Sequence, residues 1–343
     1  MPHRFLTRAA EWFPPVFTAW LSAFYIVWLI IVGTEDLWRE ALNHWEAAAA
    51  MVVGSYVAGS TPLGGGAVGF PALVLLLNEP ATIGRGFSLA IQSIGMTSAT
   101  IFLLARRAPV EWTLLKWTLI GSTLGTPLGA WLVAPRLDDM VIKLIFAVIW
   151  ASFGIMHLVK LRAIVSAKGI SRTSTSFDRE IGISVGILGG LAAAIVGVGI
   201  DMMAYCVLVL LYRADLKIAI PTSVIAMTYT SLLGTLSHAL LGQMDSDIFA
   251  YWLAAAPVVA IGAPFGALMV LLIPRTFTLV FVSILCLGQF VWIVEYDSVR
   301  GTPLILALAG VLVFNALFAL LWRRGTSLSR HAANISTRDP SFH

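Results

Sequence analysis

The chain has 343 residues, of which 59% are hydrophobic and only 12% charged, with a mean hydropathy of +0.89. Soluble domains carry about 25% charged residues, so a water-soluble globular fold is excluded and the lipid bilayer is the solvent that fits. The net charge of +4 does not indicate nucleic acid, because Lys and Arg fall between apolar runs rather than along one face, a pattern that reports topology.

The N-terminus places His3, Arg4 and Arg8 before an apolar run over residues 16 to 32. That run leads into Thr34, Glu35 and Asp36 without a small-residue cleavage pattern, so it reads as a retained first span, with a cleaved leader as the alternative. Ordinary spanning runs follow the pattern 16 to 33, 83 to 105, 112 to 134, 139 to 160, 216 to 241, 249 to 273, 277 to 294 and 303 to 322. Two further stretches, 47 to 77 and 181 to 211, would each measure about 46 Å as straight helices, against a hydrocarbon core of about 30 Å. Helix-weakening residues interrupt both: Gly59, Ser60, Thr61, Pro62, Gly64, Gly65 and Gly66 in the first, Gly197 and Gly199 in the second. Each is therefore a broken element. Cys206 and Cys286 lie inside apolar runs, which leaves no disulfide framework and no zinc motif.

Charge counting discriminates between crossing and re-entry. If each broken element crosses once, Lys and Arg split 12 to 10 across the membrane, which is no bias. If each turns back to the side it came from, the split is 17 inside to 5 outside, with only Arg39, Arg85, Arg136, Lys143 and Arg300 outside. The positive-inside rule favours the hairpins and puts both termini in the cytoplasm, in a bacterial inner membrane; pairs of short spans give the same parity. Most of the 12 tryptophans, Trp38, Trp45, Trp112, Trp117 and Trp252 among them, fall near span ends as interfacial anchors. His44, His157 and His238 also fall near span ends, where solvated or capping roles are expected.

The segment from Gly125 to Val133 recurs from Gly262 to Val270 with five of nine positions matched. Gly64 and Gly66 match Gly197 and Gly199 in the same order, and each broken element precedes a span with an early polar patch, Gly86-Phe87-Ser88-Leu89 or Pro221-Thr222-Ser223-Val224. A hairpin followed by three spans, an odd number, turns the second copy upside down. The expected fold is an all-α polytopic integral membrane protein with an inverted repeat. Each half is a broken or re-entrant helical hairpin plus three transmembrane helices, with additional N- and C-terminal spans. The divisions are 1–46, an N-terminal span and outer loop; 47–160, the first repeat; 161–180, a cytoplasmic linker; 181–295, the second, inverted repeat; and 296–343, a C-terminal span and cytoplasmic tail. Gly125, Gly129, Gly262 and Gly266 have the small-xxx-small spacing of helix packing.

The run Gly59-Ser60-Thr61-Pro62-Leu63-Gly64-Gly65-Gly66 with Pro71 downstream, the Gly86-Phe87-Ser88-Leu89 patch and the two Gly-x-Pro-x-Gly spans resemble the sulfite exporter TauE/SafE family, also called the toluene sulfonate uptake permease family. The resemblance covers roughly residues 47 to 295 and is stronger in the first copy; Val198, Ile200 and Asp201 depart from the family's glycine-rich pattern. It implies a membrane carrier for small anions of sulfur metabolism, such as sulfite and organosulfonates.

The broken elements have the chemistry to hold an anion. Helix N-termini present unpaired N–H groups, and glycine admits an oxyanion close to the backbone, so Gly64, Gly65, Gly66, Gly197 and Gly199 are candidate substrate contacts. Ser60, Thr61, Ser88, Gln92, Thr222, Ser223 and Thr228 complete a neutral polar cage, although hydroxyls in spans also bond to their own helix. Arg85 and Lys217 near the starts of equivalent spans are candidates for guiding anions, with snorkelling to the headgroups as the plainer reading. Asp201, the only acid in an expected membrane element, is either a helix cap or a proton-coupling group. No hydrolase, zinc-protease or nucleotide-binding motif is present, so the expected function is a secondary transporter moving a small anion by alternating access, without a cofactor or metal and with proton coupling open. A passive anion channel, a carrier for a different small solute and a homo-oligomeric assembly remain open.

Overall fold

The computed structural model describes residues 14–170, 175–269 and 275–336. His3, Arg4, Arg8, Arg172, the end of the span expected over 249 to 273 and the tail beyond residue 336 lie outside the described residues. All regular structure among the described residues is helical. The helices are α1 (Pro15–Thr34), α2 (Trp38–Asn43), α3 (Trp45–Ser60), α4 (Gly66–Leu76), α5 (Ala81–Ala105), α6 (Trp112–Leu128) and α7 (Asp139–Ser166). They continue as α8 (Thr175–Val196), α9 (Ile200–Leu211), α10 (Leu216–Leu240), α11 (Ser246–Met269), α12 (Arg275–Tyr296) and α13 (Thr302–Ser336).

Eight of these are long and apolar enough to cross a membrane: α1, α5, α7, α8 and α10 to α13. The number expected from sequence holds, but the membership differs. α8 qualifies because its apolar run is unbroken until Gly197, whereas the expected span over 112 to 134 forms a 17-residue α-helix continued by a π turn at Gly129–Val133. Pro127 causes that change of pitch, since it has no N–H for the helical ladder; Pro71 stands just before a similar π turn at Ala72–Leu76 in α4.

Both long apolar stretches turn back on themselves. Residues 51 and 69 would lie about 27 Å apart in a straight helix, yet a β-carbon built on Gly69 would be 3.3 Å from Met51 Sδ. In the second stretch, a β-carbon on Gly189 would lie 2.8 Å from Ile200 Cα, and one on Gly199 would lie 3.1 Å from Ala192 Cβ. The chain therefore reverses at 61 to 65 and at 197 to 199, where the backbone takes positive φ at Gly64 (63°), Gly197 (84°) and Gly199 (138°), a region costly to side-chain-bearing residues.

The halves interlock by exchanging helices. α6 of the first half packs on α8 of the second, where Gly125 and Gly186 let backbone meet backbone, and α11 of the second half packs on α3 of the first through Gly262 and Gly266 against Ser55 and Tyr56. Those glycines therefore have the packing role read from their spacing. α5 and α10 cross antiparallel, with Thr100 and Thr228 hydroxyls 2.7 Å apart and Leu89 against Gly234. The ends of the half-helices and the following helices keep one register: Leu76 and Leu211, Ala81 and Leu216, and Ala105 and Leu240 are each 135 residues apart (211 − 76, 216 − 81, 240 − 105).

Contacts between connecting segments gather at two ends. At one, the Tyr251 hydroxyl donates to Glu79 (2.7 Å), Tyr296 meets Asn78, and Lys143 pairs with Asp297 (3.1 Å). At the other, Asp215 N–H donates to Gly169 (2.7 Å), Arg275 pairs with Asp215 (3.0 Å), and Arg213 donates to the carbonyl of Trp322 (3.1 Å).

Candidate functional site

The two reversals meet on one face of α5. Arg85, Ser88 and Gln92 follow the i, i+3, i+7 spacing that aligns side chains along a helix, and all three touch the second reversal. A β-carbon on Gly197 would lie 2.6 Å from Ser88 Cβ and 3.0 Å from the Arg85 carbonyl oxygen, and Gln92 Nε2 donates to the Gly197 carbonyl at 2.8 Å. The first reversal presses onto the same place. A β-carbon on Gly66 would lie 2.3 Å from Val198 Cγ1, and one on Gly64 would lie 2.2 Å from Gln92 Oε1 and 2.7 Å from Asp201 Oδ2. Six of the expected contacts, Gly64, Gly66, Ser88, Gln92, Gly197 and Gly199, are thus brought together with Asp201, and the Arg85 backbone lies beside them.

Several buried polar atoms have no hydrogen-bond partner among the described residues. Gln92 Nε2 is committed to the carbonyls of Ser88 and Gly197, both at 2.8 Å, which orients the amide and leaves Oε1 unpaired. Asp201 Oδ1 accepts from the N–H groups of Gly199 (3.2 Å) and Met202 (2.9 Å), so the capping role is present at the start of α9. Its Oδ2 is unpaired, as are the hydroxyls of Ser60 and Ser88. Asp201 and Gln92 are 0% and 1% exposed.

Arg85 is the largest departure from the sequence reading. It does not reach for the surface: the residue is 4% exposed, and neither Nε nor Nη1 has a hydrogen-bond partner among the described residues. A charge removed from water without a counter-charge is expensive, so this guanidinium is placed to receive one. Lys217 is exposed and is not its equivalent, because the 135-residue register aligns Arg85 with Ile220 and Lys217 with Thr82.

His238 and His157, expected in solvated or capping roles, are both buried and bonded to neighbouring groups rather than solvated. His238 lies within the electrostatic reach of Arg85 and places Nε2 3.1 Å from the Ala194 carbonyl near the end of α8 and Nδ1 2.6 Å from the Gln243 side chain. His157 places Nδ1 3.0 Å from the Phe153 carbonyl and Nε2 3.0 Å from the Tyr205 hydroxyl. Because a carbonyl only accepts, Nδ1 carries the hydrogen and Tyr205 donates to Nε2.

Other expected residues lie at the edge of this meeting point or away from it. A β-carbon on Gly65 would face Met51 Cε (3.2 Å) and Ala58 Cβ (3.6 Å) of α3 and would lie 3.8 Å from Gln92 Cγ. The Thr61 hydroxyl donates to Val57 (2.7 Å) and closes the end of α3. Thr222, Ser223 and Thr228 give their hydroxyls to Ile218, Ile220 and Val224 of their own helix; Thr222 also accepts from Glu111 N–H at 2.9 Å. Gln289 was not singled out from sequence, yet its Nε2 reaches from α12 to the Ala67 carbonyl in the first turn of α4 at 2.8 Å. Its signal was scarcity: the chain has only three glutamines, Gln92, Gln243 and Gln289, and two of them, Gln92 and Gln289, bond to a reversal or to the first turn after one.

Cavities approach the α5 and α10 pair from both ends. One of about 340 Å³ is lined by Ala90, Ser93, Thr235, Met244 and Asp245, at the start of α5. Another of about 320 Å³ is lined at the opposite end by Phe102, Pro221 and Gly59 together with the cations Arg106, Lys217 and Arg275. Among the described residues no group of three or more His, Cys, Asp or Glu side chains is placed to hold a metal ion.

Over 226 residues the chain is 26% identical to "Probable membrane transporter protein YunE" of Bacillus subtilis (strain 168), a match spanning 60% of this chain and 80% of that protein. No solved structure matches it. The family profile described as "Sulfite exporter TauE/SafE" matches residues 46–290, which is the stretch from the start of α3 into α12 that builds both reversals and the helices around them. With well over half its length matched, this integral membrane protein belongs to the sulfite exporter TauE/SafE family of membrane transporters.

Proposed function

We propose that the protein is a secondary carrier that moves a small anion, sulfite or an organosulfonate, across the inner membrane by alternating access. The observation that carries this reading is Arg85, whose backbone lies against the second reversal and whose buried guanidinium, within electrostatic reach of His238, leaves Nε and Nη1 unpaired among the described residues. Planar, divergent N–H groups suit the oxygens of a sulfite or sulfonate head. Ser88 Oγ and the first-turn N–H groups of Gly66 and Ala67 add donors on the same side of the fold. The cations Arg106, Lys217 and Arg275 around the second cavity draw anions toward the pathway.

An inverted repeat is supported by the shared 135-residue register and by the exchange of helices between halves, with the reversals acting as re-entrant hairpins. The grouping of connecting segments at two ends agrees with the hairpin topology, which places the 17 basic residues and both termini in the cytoplasm.

The test is flux of sulfite, sulfoacetate, taurine, thiosulfate and chloride in proteoliposomes, wild type against Arg85→Gln. Sulfite or a sulfonate should move at least tenfold faster than chloride, and Arg85→Gln should lose that preference. Equal flux of the panel through both proteins rejects the reading, and rapid downhill flux with no counterflow identifies a channel.

A further inference from the structure

The unpaired oxygens of Gln92 and Asp201 face one another across Gly64. Oε1 lies 2.2 Å and Oδ2 2.7 Å from the same point, the β-carbon position of Gly64, so they are at most 4.9 Å apart, the sum of those distances. Two buried acceptors cannot satisfy each other; a donor between them can. The Gln92 amide cannot turn to supply it, because its nitrogen is held by two carbonyls that an inverted amide would repel. Asp201 Oδ1 is likewise committed to two N–H groups. Oδ2 is the remaining atom able to take a hydrogen, and a single O–H directed at Gln92 Oε1 satisfies both groups. A sodium ion would need several more oxygens than this pair presents.

We propose that Asp201 and Gln92 form the proton site of this carrier, and that its occupancy is tied to anion binding at Arg85 through the Gly197–Val198–Gly199 turn that both flank. The inference rests on the anion reading above. Without substrate the site holds one cation, Arg85, and one carboxylate, Asp201, which sum to zero charge but are not paired with each other among the described residues. When a monoanion occupies Arg85, Asp201 Oδ2 takes a proton from water on the accessible side, forming one O–H bond; on the opposite side that bond breaks and the proton returns to water as the anion leaves. No other bond changes, and the loaded site carries the same net charge as the empty one. One proton therefore accompanies each monoanion. The other titratable groups packed around the site are Cys206 and Tyr205 on α9, His157 on α7 and His238 on α10; Tyr205 and His157 are bonded to each other, and His238 is held by Ala194 and Gln243.

Infrared difference spectroscopy of the purified protein in lipid, titrated with acid, reads the proton without needing a substrate. A carboxylic acid carbonyl band should appear as pH falls and be missing in Asp201→Asn, which retains an oxygen to cap α9 and so stays folded. In Gln92→Leu the band should move to higher frequency, because its hydrogen-bond acceptor is gone. Adding sulfite should move the band's midpoint to higher pH in the wild type, because bound anion and bound proton favour one another, and should leave it unmoved in Arg85→Gln. Replacing sodium by choline should change none of these. If the Asp201→Asn spectrum matches wild type, or if the midpoint tracks sodium, the proton site is refuted. A titrating Asp201 band in a protein whose panel flux ignores Arg85 refutes the anion reading instead.

Discussion

Gly66 of the first reversal and Val198 of the second are in contact so close that a β-carbon on Gly66 would lie 2.3 Å from Val198 Cγ1. Residues from opposite halves of the chain thus share one junction, and any movement of one hairpin is felt by the other. This is the mechanical condition that alternating access at a common site requires.

Adjacent glycines at the first reversal should respond differently to one methyl group. Gly64 has φ of +63° and faces Gln92 Oε1 and Asp201 Oδ2, so Gly64→Ala should cost about 1–2 kcal/mol from the backbone alone and abolish transport. Gly65 has φ of −70° and faces the flexible end of Met51, so Gly65→Ala should stay within about 0.5 kcal/mol of wild type and keep flux. Thermal unfolding and proteoliposome flux measured on both variants check this. Equal loss in the two would show that crowding of the helix pair, and not the facing polar groups, governs the break.

Packing glycines should be graded by what they touch. A β-carbon on Gly125 would lie 2.2 Å from the Ile187 carbonyl oxygen, a backbone atom, whereas one on Gly288 would have nothing within 4 Å. Gly125→Ala should destabilise by about 1–3 kcal/mol; Gly288→Ala should be neutral or stabilise by up to about 1 kcal/mol. Cys206 and Cys286 are free and buried, so labelling by a thiol-reactive dye on heating reports the unfolding of each variant. The same order of melting temperatures for both substitutions would contradict the interlocked packing.

The C-terminal helix is clasped to the end of α9. The Arg213 guanidinium carbon is 3.1 Å from the ring centre of Trp322, and Lys160 Nζ is 4.7 Å from it; Arg213 also donates to the Trp322 carbonyl and to Thr326 Oγ1. Cation–π contacts contribute about 0.5–2 kcal/mol each. Trp322→Ala should therefore lower the melting temperature clearly more than Trp322→Phe, which keeps an aromatic face. A pair of variants with identical melting temperatures would assign the stability to the backbone contacts alone.

Gly169 and Gly242 occupy exposed turns at opposite ends of the helices. Single cysteines placed there, in a background lacking Cys206 and Cys286, should react with a membrane-impermeant maleimide from opposite sides: Gly242→Cys in intact cells, Gly169→Cys only after permeabilisation. Labelling of both from one side would reject the hairpin topology and the inverted repeat with it.

Local chemistry was enough to find the breaks. Gly64, Gly197 and Gly199 stand out because glycine weakens a helix and adopts positive φ at low cost, the apolar runs on either side set the spans, and the Gly-x-x-x-Gly spacing at Gly125 and Gly262 marks a surface where backbones approach. The cap formed by Asp201 was legible for the same reason, since it bonds within its own turn. Arg85 was not legible as buried, because its position four residues into α5 fits a snorkelling cation equally well; the groups found around it, the second reversal against its backbone and His238 within reach of its charge, come more than 100 residues later in the chain. The facing of Gly64 and Gly66 toward Gln92, the turning of Gly65 toward Met51 and the reach of Gln289 to Ala67 were likewise settled by tertiary packing. Periodicity reports which residues share a helix face, but the groups that fill the opposite side come from the other half of the chain, and the interlocking of α6 with α8 and of α11 with α3 brings them there.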